Sequence, residues 1–473
     1  MIEAIRLIES ALAGADGLHV ANPATGEAIA TVRAWSTAEV AGAIARADRA
    51  RAGWAALTAS GRAEVLRKWY ELILANEAVL AEAVTAEAGK PLAEALAEVR
   101  YGAAYVQWFA EEGRRANGEV IPTFANDRRV LTIRQGVGTC TAITPWNFPV
   151  AMVTRKAAPA LAAGCAIVVK PAEATPISAL ALEWLGQRAG LPEGLFAVTP
   201  TGDPAGVGRV FCTHPLVRKL SFTGSTRVGK VLMAQAADQV LRLSLELGGN
   251  APFIVMDDAD LDRAVRGVMD AKFRNAGQTC VCANRLLVHD TVHDAFVAKL
   301  GAAVASLKVG DGRDEGVQIG PLISPEAARR VAALVADAVG AGAQVVAEAA
   351  CDAASPAFAA PCVVTGVTPA MALASSEIFG PVAAVIRVSS EAEAITIAND
   401  TPYGLAAYLF TADTGRAWRM MEALEFGMVA INDGRLSSEV APFGGVKQSG
   451  FGREGSSHGL TEYMEIKYAL LGL

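Results

Sequence analysis

Apolar residues recur every three to four positions through much of the first 120 residues. The stretches 37–56, 63–88 and 92–98 carry Ala, Leu and Glu at this spacing, which predicts helices. Gly89-Lys90-Pro91 parts the last two. Ahead of them, 19–26 and 29–32 flank turn residues and predict a short β-hairpin. From 129 to 141 the period shortens to two, as in a strand. A short apolar run at 166–169 and strand-like segments at 196–198 and 217–223 then alternate with helical stretches, one of them 177–189. This rhythm predicts a parallel sheet with helices on both faces. It restarts after Leu247-Gly248-Gly249, with a strand at 252–255, a helix at 261–274, and strands near 286–289, 345–346 and 382–388. The apolar run 463–471 closes the chain, and a strand there has to be covered by its own sheet or by another subunit.

Length changes the picture modestly: 473 residues correspond to about three domain-sized units. Hydrophobic residues form 52% and charged residues 19%, which excludes an intrinsically disordered chain. The net charge of −7 argues against a nucleic-acid partner but leaves room for a local basic pocket. No membrane span is expected. The uncharged stretch 157–169 contains Pro159 and falls short of the ~20 residues needed, while 135–154 is broken by Gly136, Gly138, Pro145 and Pro149. The first residues mix acid and base and lack the apolar core of a secretory signal. Seven cysteines, at 140, 165, 212, 280, 282, 351 and 362, form no even framework, and this suits a reducing, cytoplasmic setting. Five scattered histidines give no metal site.

Five segments carry candidate chemistry. Ser221 to Lys230 follows a strand and opens a helix, so Gly224, Ser225 and Gly229 offer backbone N–H groups to a phosphate. The segment nearly matches a P-loop, but Val231 stands where the magnesium-binding hydroxyl belongs. A tight structural turn is the alternative. Lys170-Pro171-Ala172-Glu173 lies just beyond a buried strand, where it suits a ribose diol or is simply a solvated loop. Cys280, in Asn275-Ala276-Gly277-Gln278-Thr279-Cys280, is a nucleophile or an inert buried thiol. Glu246 sits among apolar residues that would raise its pKa and make it a usable base; an ordinary strand-end acid is the other reading. In Thr144-Pro145-Trp146-Asn147-Phe148-Pro149 two prolines would fix the Asn147 amide as an oxyanion donor, unless it only satisfies its own loop.

Taken together, seven stretches (144–149, 170–176, 222–230, 245–252, 275–284, 377–381 and 442–453) resemble the aldehyde dehydrogenase superfamily in order and spacing along nearly the whole chain. The resemblance implies an α/β fold with three parts. A Rossmann-like NAD-binding domain would take 1–118 and 138–245, a catalytic domain 246–435, and a β oligomerisation element 119–137 with 455–473. Carried over residue by residue, it makes Cys280 the nucleophile, Asn147 the oxyanion donor with the Cys280 N–H, and Glu246 the base that activates the hydrolytic water. Gly224, Ser225 and Gly229 would line the pyrophosphate turn with Trp146 packed nearby, and Leu247 is a further cofactor-binding residue. Lys170 and Glu173 would hold the adenine-side ribose, Glu377 the nicotinamide ribose, and Phe379 the ring. Glu173 would repel a 2′-phosphate, so NAD is expected over NADP.

Within the superfamily the resemblance is strongest to succinate-semialdehyde dehydrogenases, through 152–156, 272–285 and 439–447. It implies that Arg155, Arg274 and Ser437 grip the distal carboxylate of an acid semialdehyde, with succinate semialdehyde the first expectation and glutarate semialdehyde the alternative. Arg435 replaces a usual aliphatic residue and leaves chain length open. Cys282 becomes a possible disulfide partner of Cys280. A homodimer or homotetramer is implied, with no metal. An NTPase built on the near-P-loop, a non-catalytic structural protein and a cysteine hydrolase are the rival readings; Val231, the retained triad and the lack of a placed His base count against them in turn.

Overall fold

The computed structural model describes residues 6, 8–12, 17–351 and 355–473. Most of the first residues, on which the reading of the N-terminus rests, lie outside them. The strand–helix alternation builds two open sheets. The first has six strands in the order Gly450–Phe451, Arg242–Glu246, Val217–Thr223, Thr139–Ile143, Ala166–Lys170, Phe196–Val198, all parallel except the short Gly450–Phe451 edge. The second has seven: Gln344–Glu348, Cys362–Thr365, Val382–Val388, Ala283–His289, Ala251–Val255, Ala406–Phe410 and Met428–Ile431, with only Gln344–Glu348 antiparallel. Buried Val, Ile, Leu and Ala from strands and covering helices form a separate core around each sheet. Both faces of central strands such as Ala166–Lys170 and Val382–Val388 are buried, which is why their sequences read as nearly unbroken apolar runs.

A third sheet stands apart. Met464–Gly472 pairs antiparallel along the whole of Arg128–Gly136, which also carries Glu119–Ile121. Ile466, Tyr468, Leu470, Leu471 and Val120 on it are exposed.

Three expectations need correcting. The strand expected at 129–141 is two strands in different sheets, Arg128–Gly136 and Thr139–Ile143. The chain turns between them at Gly138, whose φ of +130° is accessible to glycine alone. The helix expected at 63–88 is two, Ala59–Ala75 and Glu77–Ala88. Asn76 leaves helical geometry, and its side chain donates to the Leu72 carbonyl. The helix expected at 261–274 ends as an α-helix at Val268, continues as a wide turn over Met269–Phe273, and is broken at Asn275 and Ala276. By contrast, Thr37–Ala56 begins where a capping box predicts, with Ser36 and Glu39 exchanging hydrogen bonds. Among the described residues no helix is long and apolar enough to cross a membrane.

Candidate active site

Parallel strands of the first sheet end at Ile143, Lys170, Thr223 and Glu246. Ligands in open sheets bind at such ends. A cavity of about 290 Å³ opens there, walled by Trp146, Asn147, Gly224, Ser225, Glu246 and Leu247. The second core closes it with Cys280, Arg330, Glu377 and Phe379. Residues scattered over 234 positions of sequence thus share one wall.

The Cys280 loop is held in a shape its own sequence does not favour. Asn275 and Ala276 have φ of +52° and +53°, the left-handed region that costs about 1–2 kcal/mol per residue. Partners from elsewhere impose it. The Asn275 N–H donates to Glu94 at 2.8 Å, and its Nδ2 donates to the Asn147 carbonyl at 3.0 Å. Gln278 Oε1 accepts the Ile323 N–H, and the Tyr408 hydroxyl donates to the Val281 carbonyl. Gly249 is required alongside: a Cβ there would lie 2.5 Å from the Cys280 carbonyl.

Electrostatics leave the site proton-loaded. Burial pushes the Cys280 thiol up to about 12; Arg155 opposes this, while Glu246 and Glu377 add to it. Burial, reinforced by the nearby Glu454, raises the Glu246 carboxyl well above the usual carboxylate range. Its Oε2 is buried without a partner. Burial lifts Glu377 to about 7 even though Oε1 accepts the Gly249 N–H at 3.0 Å. A thiol and a base-competent carboxyl therefore share one cavity, which is the equipment for nucleophilic attack followed by hydrolysis. Asn147 Nδ2 donates to the Gln278 carbonyl at 2.9 Å. A carbonyl cannot donate, so this contact fixes which amide atom is nitrogen and leaves a second N–H available.

The remaining wall suits a dinucleotide. The helix Thr226–Ala236 starts at the cavity, with Ser225 as its cap. Gly224 donates its N–H to the Glu246 carbonyl, tying the turn to the candidate base. Gly229 lies behind the wall, packed under Leu247. Lys170 and Glu173 bind each other beyond the cavity, with the Glu173 side chain 41% exposed. Phe379 meets Trp146 edge-on at 5.6 Å. A helix N-terminus, the Glu377 carboxyl and an aromatic pair along one cleft fit pyrophosphate, ribose and a flat ring.

A second cavity, of about 550 Å³, lies across the Asn147-Phe148 segment. Arg274, Ser437, Arg435, Asp270, Glu94 and Phe148 line it. Arg435 pairs with Asp270 at 2.9 Å. The Arg274 guanidinium faces the Phe148 ring at 5.5 Å, and its buried Nε has no partner. Arg155 does not join them. It is buried, pairs with Glu454 at 2.8 Å and lies 4.0 Å over the Phe443 ring. Cys282 is also buried, its Sγ 3.4 Å from the Lys272 carbonyl.

Several residues around the site escape sequence reasoning. Glu454 is buried and binds both Arg155 and Lys156, and Lys156 also donates to Thr223. Arg330 donates to the carbonyls of Glu377 and Ile378, bracing the segment that carries Phe379. Lys90 reaches the Asn147 carbonyl. A matching stretch ended at Arg453, one residue short of Glu454, and Lys90 sat in what read only as a helix separator.

Known proteins resemble this chain along nearly its whole length. The aldehyde dehydrogenase family model matches residues 11–469. Glutarate-semialdehyde dehydrogenase of Pseudomonas aeruginosa is 52% identical over 455 residues, covering 96% of this chain and 94% of its own. Succinate-semialdehyde dehydrogenase [NADP(+)] GabD of Escherichia coli is 52% identical over 458 residues, covering 97% and 95%. The crystal structure of succinate-semialdehyde dehydrogenase from Burkholderia pseudomallei superposes with a TM-score of 0.95 at 54% identity, over 96% of this chain and 94% of that one. The chain belongs to the aldehyde dehydrogenase family. It is an NAD(P)-dependent aldehyde dehydrogenase with the fold of that family.

Proposed function

We propose that the enzyme oxidises ω-carboxylated aldehydes, succinate semialdehyde foremost with glutarate semialdehyde as the alternative. One observation carries the substrate class: the Arg274 guanidinium lines the second cavity beside Ser437, with a buried N–H lacking any protein acceptor. A substrate carboxylate supplies that acceptor. Arg155, already paired with Glu454, supports the grip less and the reaction more, since its charge favours the Cys280 thiolate.

In this reading the Cys280 thiol releases its proton to solvent and the thiolate Sγ attacks the aldehyde carbon. The Asn147 amide and the Cys280 N–H stabilise the oxyanion of the thiohemiacetal. A nicotinamide dinucleotide held here would supply the hydride acceptor needed to oxidise the thiohemiacetal to a Cys280 thioester. Glu246, once ionised, then takes a proton from the water that hydrolyses the thioester. Ser225, Gly224 and the helix start behind them would hold the pyrophosphate, Lys170 and Glu173 one ribose, and Glu377 the other. Glu173 favours NAD over NADP, although its ion pair with Lys170 softens the repulsion. Domain limits near 245 and 435 go with this reading. So does a homodimer or homotetramer built on the exposed terminal sheet, in a reducing cytoplasm that keeps Cys280 as a thiol. Cys282 as its disulfide partner draws least support, because its Sγ is turned to a backbone carbonyl.

The test follows NAD(P)H absorbance with neutral and ω-carboxylated aldehydes of increasing length. Arg274→Ala is expected to cut kcat/KM for the acid semialdehydes by about 10- to 100-fold, the worth of a charge-assisted hydrogen bond. Neutral aldehydes should change by no more than about twofold. Equal losses on both classes would overturn the carboxylate grip, and equal efficiency with NAD and NADP would overturn the role of Glu173.

A further inference from the structure

Lys90 is a buried cation that the proposed mechanism does not use. It stands between the helices Glu77–Ala88 and Leu92–Glu112, yet its side chain turns inward. The Lys90 and Glu98 side chains are each only 1% exposed, and they bind each other. Lys90 Nζ also donates to the Asn147 carbonyl at 2.7 Å and sits 4.0 Å from the centre of the Phe148 ring. Glu98 Oε1 accepts the N–H groups of Val150 at 2.9 Å and Ala151 at 3.3 Å. One ion pair therefore holds the segment Asn147-Phe148-Pro149 from both ends.

Stability alone does not explain such a pair. Removing two charges from water is costly, and well-packed apolar replacements often serve as well or better. What apolar side chains cannot supply is a directed hydrogen bond to the Asn147 carbonyl. That carbonyl already accepts from Asn275 at 3.0 Å on the nucleophile loop. With Lys90 added, the peptide following Asn147 is held from the cofactor-binding core and from the nucleophile loop at once. The direction of the Asn147 side chain follows from that of its backbone.

We propose that Lys90, held by Glu98, is a positioning residue for the reaction: its hydrogen bond to the Asn147 carbonyl aims the Asn147 amide at the oxyanion formed on Cys280. This rests on the reading of Asn147 as an oxyanion donor. A double-mutant cycle in the full-length enzyme separates the two ideas, using K90M, N147A and the double variant. It measures kcat, KM, dinucleotide affinity by fluorescence quenching, and the thermal midpoint. N147A is expected to lower kcat about 100-fold, as the loss of an oxyanion donor does. K90M is expected to lower kcat about tenfold or more with KM within about twofold, the effect of a misaimed group. The double variant should be no worse than N147A alone, because Lys90 acts only through Asn147.

An unchanged kcat in N147A would overturn the oxyanion reading itself. If N147A is impaired but the K90M loss multiplies in the double variant, or K90M keeps full kcat, the positioning role is overturned. Should K90M fail to fold, E98Q replaces it in the same cycle. E98Q keeps the shape of the pair and weakens its charge, and its expected kcat loss must likewise vanish in the N147A background.

Discussion

The two cavities on either side of the Asn147-Phe148 segment hold their charges differently. In the first, Cys280, Glu246 and Glu377 all have raised pKa values, so protons sit where chemistry will need to move them. In the second, cations and acids are matched. Lys90 pairs with Glu98 and Arg435 with Asp270, while Arg274 keeps an unpartnered N–H beside Glu94, whose carboxyl pKa is raised by burial and whose oxygen is taken by the Asn275 N–H. The first cavity is built to transfer protons and the second to recognise charge. Substitutions should therefore change turnover on one side and substrate discrimination on the other.

The largest expected effect tests the first half of that contrast. Glu246→Gln keeps the shape of the buried carboxyl but removes its ability to take a proton. Steady-state turnover should fall about 10²- to 10³-fold, within the range of general-base catalysis. A rapid burst of about one NAD(P)H per active site should survive, because thioester formation precedes the hydrolysis that Glu246 serves. A variant that lost only affinity, with kcat intact, would break the assignment of proton transfer to this cavity.

The next effect is one of pH. Burial holds the Cys280 thiol at about 12, so below that value the neutral thiol predominates. Its thiolate fraction rises about tenfold per pH unit, and the thiolate is the reactive form. Inactivation of the cofactor-free enzyme by iodoacetamide should therefore accelerate about 100-fold from pH 7 to pH 9. Glu377, held at about 7, ionises within this range and adds a charge that flattens the lower part of the slope. A rate flat from pH 7 to pH 9 would mean that the thiolate is already formed, and would remove the proton-loaded character of the first cavity.

This contrast was only half legible in the amino-acid sequence. The strands Ala166–Lys170, Phe196–Val198 and Val382–Val388 were readable because a strand buried on both faces is a nearly continuous apolar run. The break at Gly138 was not, since alternation continues across it while the chain passes from one sheet to another. The left-handed turn at Asn275 and Ala276 was hidden for a different reason: Glu94 and Asn147 impose it, and they are 181 and 128 residues away. Cys280, Glu246 and Asn147 were each ambiguous alone and became candidates through the resemblance of the surrounding stretches. Lys90 and Glu454 stayed invisible. A Lys before a Pro reads as a solvated turn, and nothing local announces that it meets Asn147 57 positions later or that Glu454 meets Lys156 across 298. Buried ion pairs are tertiary facts, because each partner's sequence context reads as surface.

The smallest effect lies at the mouth of the second cavity. The Arg435 side chain is 71% exposed and its partner Asp270 41%, so their ion pair is solvent-screened and worth about 1 kcal/mol at most. Arg435→Leu should lower kcat/KM for an acid semialdehyde by no more than about fivefold at low ionic strength. Asp270→Asn should raise it by a comparable factor, because it frees the same guanidinium to attract an anion. Both changes should fade near 1 M salt, where the screening length is about 3 Å, and neither should alter a neutral aldehyde. The Arg274→Ala loss should persist in that salt, since its unpartnered N–H is buried. If Arg435→Leu instead cost as much as Arg274→Ala and resisted salt, the mouth itself would be a grip. The preferred substrate would then be long enough to reach from Cys280 to Arg435, which shifts the choice from succinate semialdehyde toward glutarate semialdehyde.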